Sequence, residues 1–531
     1  MPLTRASMAA LAAATLVPAV AAAEIEVDWH ASLSNRLEYK RNFIDTTDMT
    51  QLKLDQAGKG YYFYGTAGVD LDADAWSFTM TLDTGILKVP ALYRQSPAVN
   101  EVTANDKPVA DEARKTLLVR ELFIDADLAL DGALSVTAGK YNASVGKDFV
   151  YNDYTLGMNL ELDLAGAKRA PFRASLQAIV SDGTFSADGK RSPLVSAEAA
   201  YVLGKGEEAG LIAAWFHDGD DNVGEIVKPF VSEFLQNQVV AAAKHAKQSG
   251  QINKQLVAQL AAIERACGGH LANCMTVGDR AELFWAGLYF NKIWSRLTLG
   301  GVALVNFGSA TLDPYLTFAG NEVHVFEKTV TKKGVTQARL SSASEKTVLG
   351  GMADLDASYE LLEGWSVSSF FLWLSGDSDF EKVNNTRLSS FIAVMPYITK
   401  TDIFFNGGMN ESASARALST SGINAHGVLA PGLGTTWAPV KDVLELKLGA
   451  ALLLAESVNP QFAKSRVYGW ELNFNTDWTA TPWLDLMLEA DFFKTGAFFD
   501  HPADWDPYGT AKRVAEPNPY RVMLGADVHY H

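Results

Sequence analysis

The chain is short of three things. It has two cysteines in 531 residues, Cys267 and Cys274; it has no run of about eighteen apolar residues beyond position 23; and its 45 basic residues are outnumbered by 62 acidic ones, a net charge of −17. The first shortage excludes a disulfide-stapled scaffold and a four-cysteine metal centre. The second excludes a membrane-spanning helix in that stretch. The third disfavours nucleic acid or another polyanion as a partner. A Pro- or Ser-rich linker is also missing, so a length that would suggest several soluble domains reads instead as one large unit.

What is present begins with a leader. Arg5 supplies a basic start, residues 8–22 an apolar stretch, and Ala21-Ala22-Ala23 a small-residue cleavage site. This predicts a signal peptide over 1–23 and a mature chain of 24–531 beyond the cytoplasm.

The mature part alternates. At the end of the chain Val522, Leu524, Ala526, Val528 and Tyr530 interleave with Arg521, Met523, Gly525, Asp527 and His529, and Leu484, Leu486 and Leu488 interleave with Asp485, Met487 and Glu489. A period of two is the signature of a strand with one apolar and one polar face. Eighteen such segments can be placed between residues 25 and 531. Tight turns at 72–74, 131–132, 204–208, 363–364, 440–441 and 479–481 alternate with longer segments near 40–60, 89–115, 218–280, 309–347, 377–423 and 496–518. Short turns on one side and long loops on the other are the rhythm of an outer-membrane barrel with both termini in the periplasm. The stretch 143–148 breaks it, being too short for a typical external loop. The expected fold is all-β: a transmembrane antiparallel up-and-down barrel of about 18 strands, surrounded by outer-membrane lipid of a Gram-negative bacterium. Trp29, Trp76, Trp365, Trp437, Trp478 and Trp483 fall at or near strand ends, where interfacial girdles lie.

One segment departs from the period of two. Between Val223 and Ala266 apolar residues recur at helical spacings, which predicts two amphipathic helices inside one external loop, an insertion over 219–280. It could cap the mouth, enter the lumen, bind a partner or simply pack as a loop. Cys267 and Cys274 follow closely and are predicted to form a local disulfide; His270 between them lacks further ligands for a metal. Catalytic and cofactor motifs are not found. Gly-Asp-Ser-Asp at 376–379 lacks a nucleophile elbow, and its acidic residues read as part of an external loop with a conceivable affinity for calcium.

Gly139-Lys140-Tyr141, the run from Gly146 to Tyr154 (Gly-Lys-Asp-Phe-Val-Tyr-Asn-Asp-Tyr), and the run from Trp373 to Asp379 (Trp-Leu-Ser-Gly-Asp-Ser-Asp) resemble segments of the alginate-export outer-membrane barrels. The resemblance implies an eighteen-stranded passive conduit for a hydrophilic solute or polysaccharide, with periplasmic export machinery as a further partner. The lumen expected here differs from a basic one. The polar-face register turns inward Asp83, Glu121, Glu161, Asp354, Glu445, Glu471, Asp485, Glu489 and Asp491, with Asp125 and Asp356, against Arg36, Arg173, Lys447 and Arg521. Such rings of carboxylates favour cations. The expected function is a passive channel; the alternative is a scaffold whose external loops bind a surface partner.

The turn rhythm has a direct check. Cysteines engineered into 89–115 and 218–280 should react with an impermeant thiol reagent on intact cells. Labelling only after the outer membrane is broken would invert the orientation.

Overall fold

A computed structural model describes residues 25–44, 54–84, 87–88, 118–180, 192–218, 275–318, 321–324, 327–332, 335–340, 344–378, 387–405, 419–420, 422, 426–458, 463, 465–499 and 518–530. Eighteen strands form the wall. The first nine are β1 Glu26–Ile44, β2 Leu54–Ala73, β3 Trp76–Asp83, β4 Leu118–Ala129, β5 Leu134–Val145, β6 Tyr151–Asp163, β7 Phe172–Val180, β8 Pro193–Gly204 and β9 Glu207–Asp218. The second nine are β10 Met275–Trp294, β11 Leu297–Phe318, β12 Ser344–Leu362, β13 Trp365–Leu374, β14 Val428–Val440, β15 Leu444–Leu454, β16 Val467–Thr481, β17 Leu484–Thr495 and β18 Tyr520–Tyr530. Each runs antiparallel to the next, and β18 closes the ring on β1 from Ala31↔Tyr530 to Arg41↔Tyr520. In hydrocarbon a backbone N–H or C=O has only another backbone group as partner, and a closed ring is the one sheet without an unpaired edge.

Residues directly opposite in an antiparallel pair share a face. Leu488, Leu524 and Leu37 therefore lie side by side on the outside across the closing seam. Leu524 and Leu37 remain 52% and 50% exposed. A soluble protein avoids an apolar wall of this kind, whereas lipid covers it. At the short-turn end the outer face carries Trp29, Tyr201, Trp294, Tyr359, Trp365, Trp437, Trp478, Trp483 and Tyr530, all substantially exposed. Near the other end stand Phe284 stacked on Phe307, and Trp470 beside Phe492, each pair 5.5 Å between ring centroids. Trp470 and Trp478 are eight residues apart on β16, about 26 Å along the strand. A tilt of about 40° reduces that to about 20 Å of height, slightly under the roughly 25 Å apolar band of such barrels. Five of the six tryptophans assigned to girdles stand exposed there; Trp76 is half-buried.

Tight turns join the strands at the end that also holds both described chain ends. Gly206 and Gly364 adopt φ of 75° and 73° in two-residue connections between strands, a conformation that costs glycine least.

Three expectations about connections change. The insertion placed at 219–280 is strand from Met275 onward, because β10 and β11 stay paired from Met275↔Leu316 down to Trp294↔Leu297; its expected helices and the Cys267–Cys274 disulfide lie outside the described residues, as does the leader. The long segment at 309–347 holds extensions of β11 to Phe318 and of β12 from Ser344, and between them a short strand Asn321–His324 and a hairpin of Glu327–Lys332 and Val335–Leu340. The loop at 377–423, read as external, places residues 387–405 inside the barrel.

The seam is fixed inside as well as outside. Arg36 of β1 donates to both oxygens of Asp527 on β18, at 2.5 and 2.7 Å. Gly525 makes room for it, since a Cβ there would sit 2.9 Å from the guanidinium. Replacing Asp527 by Ala should strand a largely buried guanidinium and cost about 1–3 kcal/mol. The expected result is a lower temperature for loss of the heat-modifiable folded band on gels, with Arg36→Met in the same chain restoring part of it.

Candidate functional site

The main feature inside the barrel is the connection between β13 and β14. Phe391, Ile392, Ala393, Val394, Ile398, Ile403, Phe404 and Phe405 are all buried in it. Its hydrogen bonds reach inward-facing groups on separated parts of the wall. On one side the Val394 and Met395 amides donate to the Val150 carbonyl at 2.9 and 3.0 Å, and the Asn152 amide donates back to Met395 at 2.8 Å. The Trp285 indole of β10 donates to the Ile392 carbonyl at 2.9 Å. On the far side the Ile403 and Phe404 amides donate to the Glu471 carboxylate of β16 at 2.6 and 2.9 Å. The segment thus crosses the lumen and is tied to β6, β10 and β16.

Why it turns inward follows from its composition. Phe391 to Met395 is a continuous apolar run, and Ile403 to Phe405 a second; exposed to water they would be unfavourable, while the lumen offers Tyr468 and Phe493, 5.2 and 6.1 Å from Phe404. The entry is fixed by Asp377, which is buried and accepts from the Ser389 amide at 2.9 Å. That position suits a structural acceptor rather than the external, calcium-exposed carboxylate the sequence suggested; Asp379 lies outside the described residues.

A second inward element is the β5–β6 connection, the stretch that seemed too short for an external loop. Gly146, Lys147 and Asp148 have φ of 65°, 53° and 71°. This tight turn carries Lys147 onto the inner wall, where Nζ lies 3.2 Å from Glu198, 3.8 Å from Glu208 and 3.8 Å from the centroid of the Tyr289 ring. Burial pushes the Lys147 ammonium down, but Glu198, Tyr289 and Glu208 outweigh that and hold it above its ordinary value.

The twelve charged residues singled out from the sequence all fall on the inward register. Arg36 pairs with Asp527. Asp83 lies opposite Thr66, and Glu121 opposite Thr81. Arg173 stands 3.9 Å from Glu161 and 3.2 Å from Asp163. Lys447 pairs with Glu445 at 2.6 Å and Asp477 at 3.3 Å. Asp485 meets His529 at 3.0 Å. Glu471, Glu489 and Asp491 come together: Asn473 donates to Glu471 at 2.7 Å and to Asp491 at 2.9 Å, and Arg521 pairs with both Glu489 and Asp491. With Asp402 of the loop, Glu489 and Asp491 form the one carboxylate triad among the described residues compact enough for a metal, but Arg521 already neutralises two of its members.

Sequence reasoning missed three inward cations and a fourth at a strand irregularity. Arg120 stands where a register shift between Thr81 and Leu82 puts an extra residue into β4; it donates to the Tyr64 and Tyr154 hydroxyls, with its guanidinium carbon 4.5 Å from the Tyr154 ring centroid. Lys147 and Lys400 come from connections, and Lys346 is buried on β12. Lys400 reaches Asp354 at 2.9 Å and Asp356 at 2.7 Å, and stands 5.5 Å from the Phe370 ring centroid. The bare carboxylate count therefore overstates the charge of the lumen, since most of the named carboxylates have a cation or amide donor against them.

No family model matches the chain, and no curated protein matches it, so the likeness to alginate-export barrels rests on the short segments alone. Similar solved structures include the outer membrane protein OprD from Pseudomonas aeruginosa, at 8% identity over 95% of this chain and 94% of that one, with a TM-score of 0.43. They also include OccK11 (OpdR) from the same organism, at 10% identity over 95% and 97%, TM-score 0.42, and OccAB1 from Acinetobacter baumannii, at 10% over 95% and 97%, TM-score 0.43. The architecture stands on this chain's own pairing. A closed ring with an apolar outer band and aromatic girdles is an outer-membrane barrel of a Gram-negative bacterium.

Glu471 is fully buried, and its two bonds to the loop are the anchor on that side. Glu471→Ala should lower hydrogen-exchange protection of the Ile403 and Phe404 amides by about 10- to 100-fold, the equivalent of about 1.5–3 kcal/mol for bonds to a charged acceptor. Glu471→Gln should fall between. Unchanged protection in the Ala variant would mean the loop is held elsewhere.

Proposed function

We propose that the protein is a passive outer-membrane channel for a small hydrophilic solute. The observation that carries this reading is the loop of residues 387–405 laid across the lumen of a closed barrel and tied to opposite walls. A scaffold has no use for a crossing segment whose rim is charged; a conduit has, because it sets the size and charge of what passes. The same loop argues against the polysaccharide expected from the resemblance, since a polymer would need it displaced together with its bonds to Val150, Trp285 and Glu471. The twelve charged residues are proposed to line the path. Asp485, with the exposed Asp356 and the acidic edge of the Glu489–Arg521 cluster, leaves a surplus of carboxylates over cations, so the pore prefers cations.

Reconstituted in a planar bilayer, the barrel should give stable channels whose reversal potential across a salt gradient has the sign of cation preference. Asp485→Asn with Glu489→Gln should weaken that preference, because the second change also releases part of the Arg521 charge. Silent membranes containing folded barrel would remove the channel reading and favour the scaffold, and an anion-preferring wild type would overturn the acidic lumen.

A further inference from the structure

On the short-turn side of the loop the inner wall is hollowed out across four strands. Asn291, Gly300, Asp356 and Phe370 are successive neighbours in one inward row, and Thr298, Ser358 and Ser368 form the next. Small residues make the wall recede. Gly432, opposite Phe370, continues this: a Cβ there would lie 2.1 Å from the Phe370 ring, so the ring occupies space that any side chain would take. The result is a cavity of about 330 Å³, lined by Asn291, Thr298, Asp356, Ser358, Ser368 and Phe370. Lys400 of the loop holds one lining residue, donating to both oxygens of Asp356 at 2.7 and 2.8 Å.

The lining names the chemistry. Three hydroxyls and an amide can each donate and accept, and they surround one aromatic ring. A ligand that matches has many hydroxyls and an apolar C–H face, which is a sugar ring. The volume is at the low end of the about 300–1,000 Å³ typical of small-molecule sites, which admits one ring and not a chain. Charge decides between a neutral and an acidic sugar. The Lys400 ammonium is already shared by two carboxylates, Asp354 and Asp356, so an incoming carboxylate would meet a net negative group.

The geometry points to this recess as a subsite for one neutral monosaccharide in transit, an inference that rests on the reading of the barrel as a conduit. Lys400 joins it to the constriction, because the ammonium that bonds the lining Asp356 belongs to the segment crossing the lumen.

The test uses the folded, detergent-solubilised barrel and titration calorimetry with D-glucose and D-galactose. Saturable heat is expected with at least one of them, and sodium D-glucuronate should bind more weakly than that sugar. Phe370→Ala should raise the half-saturating concentration about fivefold, as loss of a ring contact does. Ser358→Ala with Ser368→Ala, which leaves the ring in place, should raise it too, and the heat-modifiable band reports that each variant is folded. Absence of saturable heat with either neutral sugar, equal affinity in the folded Phe370→Ala barrel, or tighter binding of glucuronate would each overturn the subsite. Bilayer conductance keeps the two readings apart. A barrel that conducts ions but binds neither sugar loses the subsite and keeps the channel; one that binds glucose without conducting keeps a sugar site in the recess but loses the channel, and with it the transit role.

Discussion

Everything in this barrel depends on one constraint: a peptide group in hydrocarbon has no water to bond. Eighteen strands satisfy it only by joining the last to the first, so the pairing of Ala31–Arg41 with Tyr520–Tyr530 is the condition on which the other seventeen seams rest. Closure then dictates the faces. A strand whose neighbours are both in the ring has one side in lipid and the other in the lumen, and the period of two sorts Leu488, Leu524 and Leu37 to the first and Glu489, Met523 and Glu38 to the second.

The inner side inherits the difficulty. Charges excluded from the lipid face collect on the inner wall, and one buried there without a partner is costly. The wall answers with local pairs such as Arg36 with Asp527 and Lys447 with Glu445 and Asp477. Glu471 is the extreme case: wholly buried, it takes its donors from Asn473 and from two loop amides rather than from a cation. The loop in turn gains a place to bury Phe404 and Phe405. The carboxylate and the apolar run each resolve the other's exposure, which is why the segment lies inside.

This also explains what could be read from the chain before its fold. Strand number, the turn rhythm and the facing of Asp485 or Leu486 follow from a period of two, a local property that survives into the structure unchanged. The direction of a loop is not local. Phe391 to Met395 shows that something must cover it, yet nothing within the run says whether the cover is an external partner or the lumen; that depends on Tyr468, Phe493 and Trp285, which come from other strands. The start of β4 was hidden for a different reason, since the extra residue at Arg120 reverses the face of what precedes it, and the register shift has no mark in the sequence. Lys400 could be placed only once the loop was.

A conduit works when each resting place is good enough to enter and poor enough to leave. The arrangement of Lys400 fits that demand. Its ammonium is bound to Asp354, nearly buried, and to Asp356, half in the open. In the proposed conduit the Asp354 bond would keep the loop seated whatever passes. The Asp356 bond faces the recess, and under the proposed reading a solute hydroxyl would share it without replacing it, so entry would cost little and exit would require no structural rearrangement. A deeper site built on a free cation would hold an anion too long to be a passage, and a bare wall would not select at all; a cation already satisfied by two carboxylates lies between these limits.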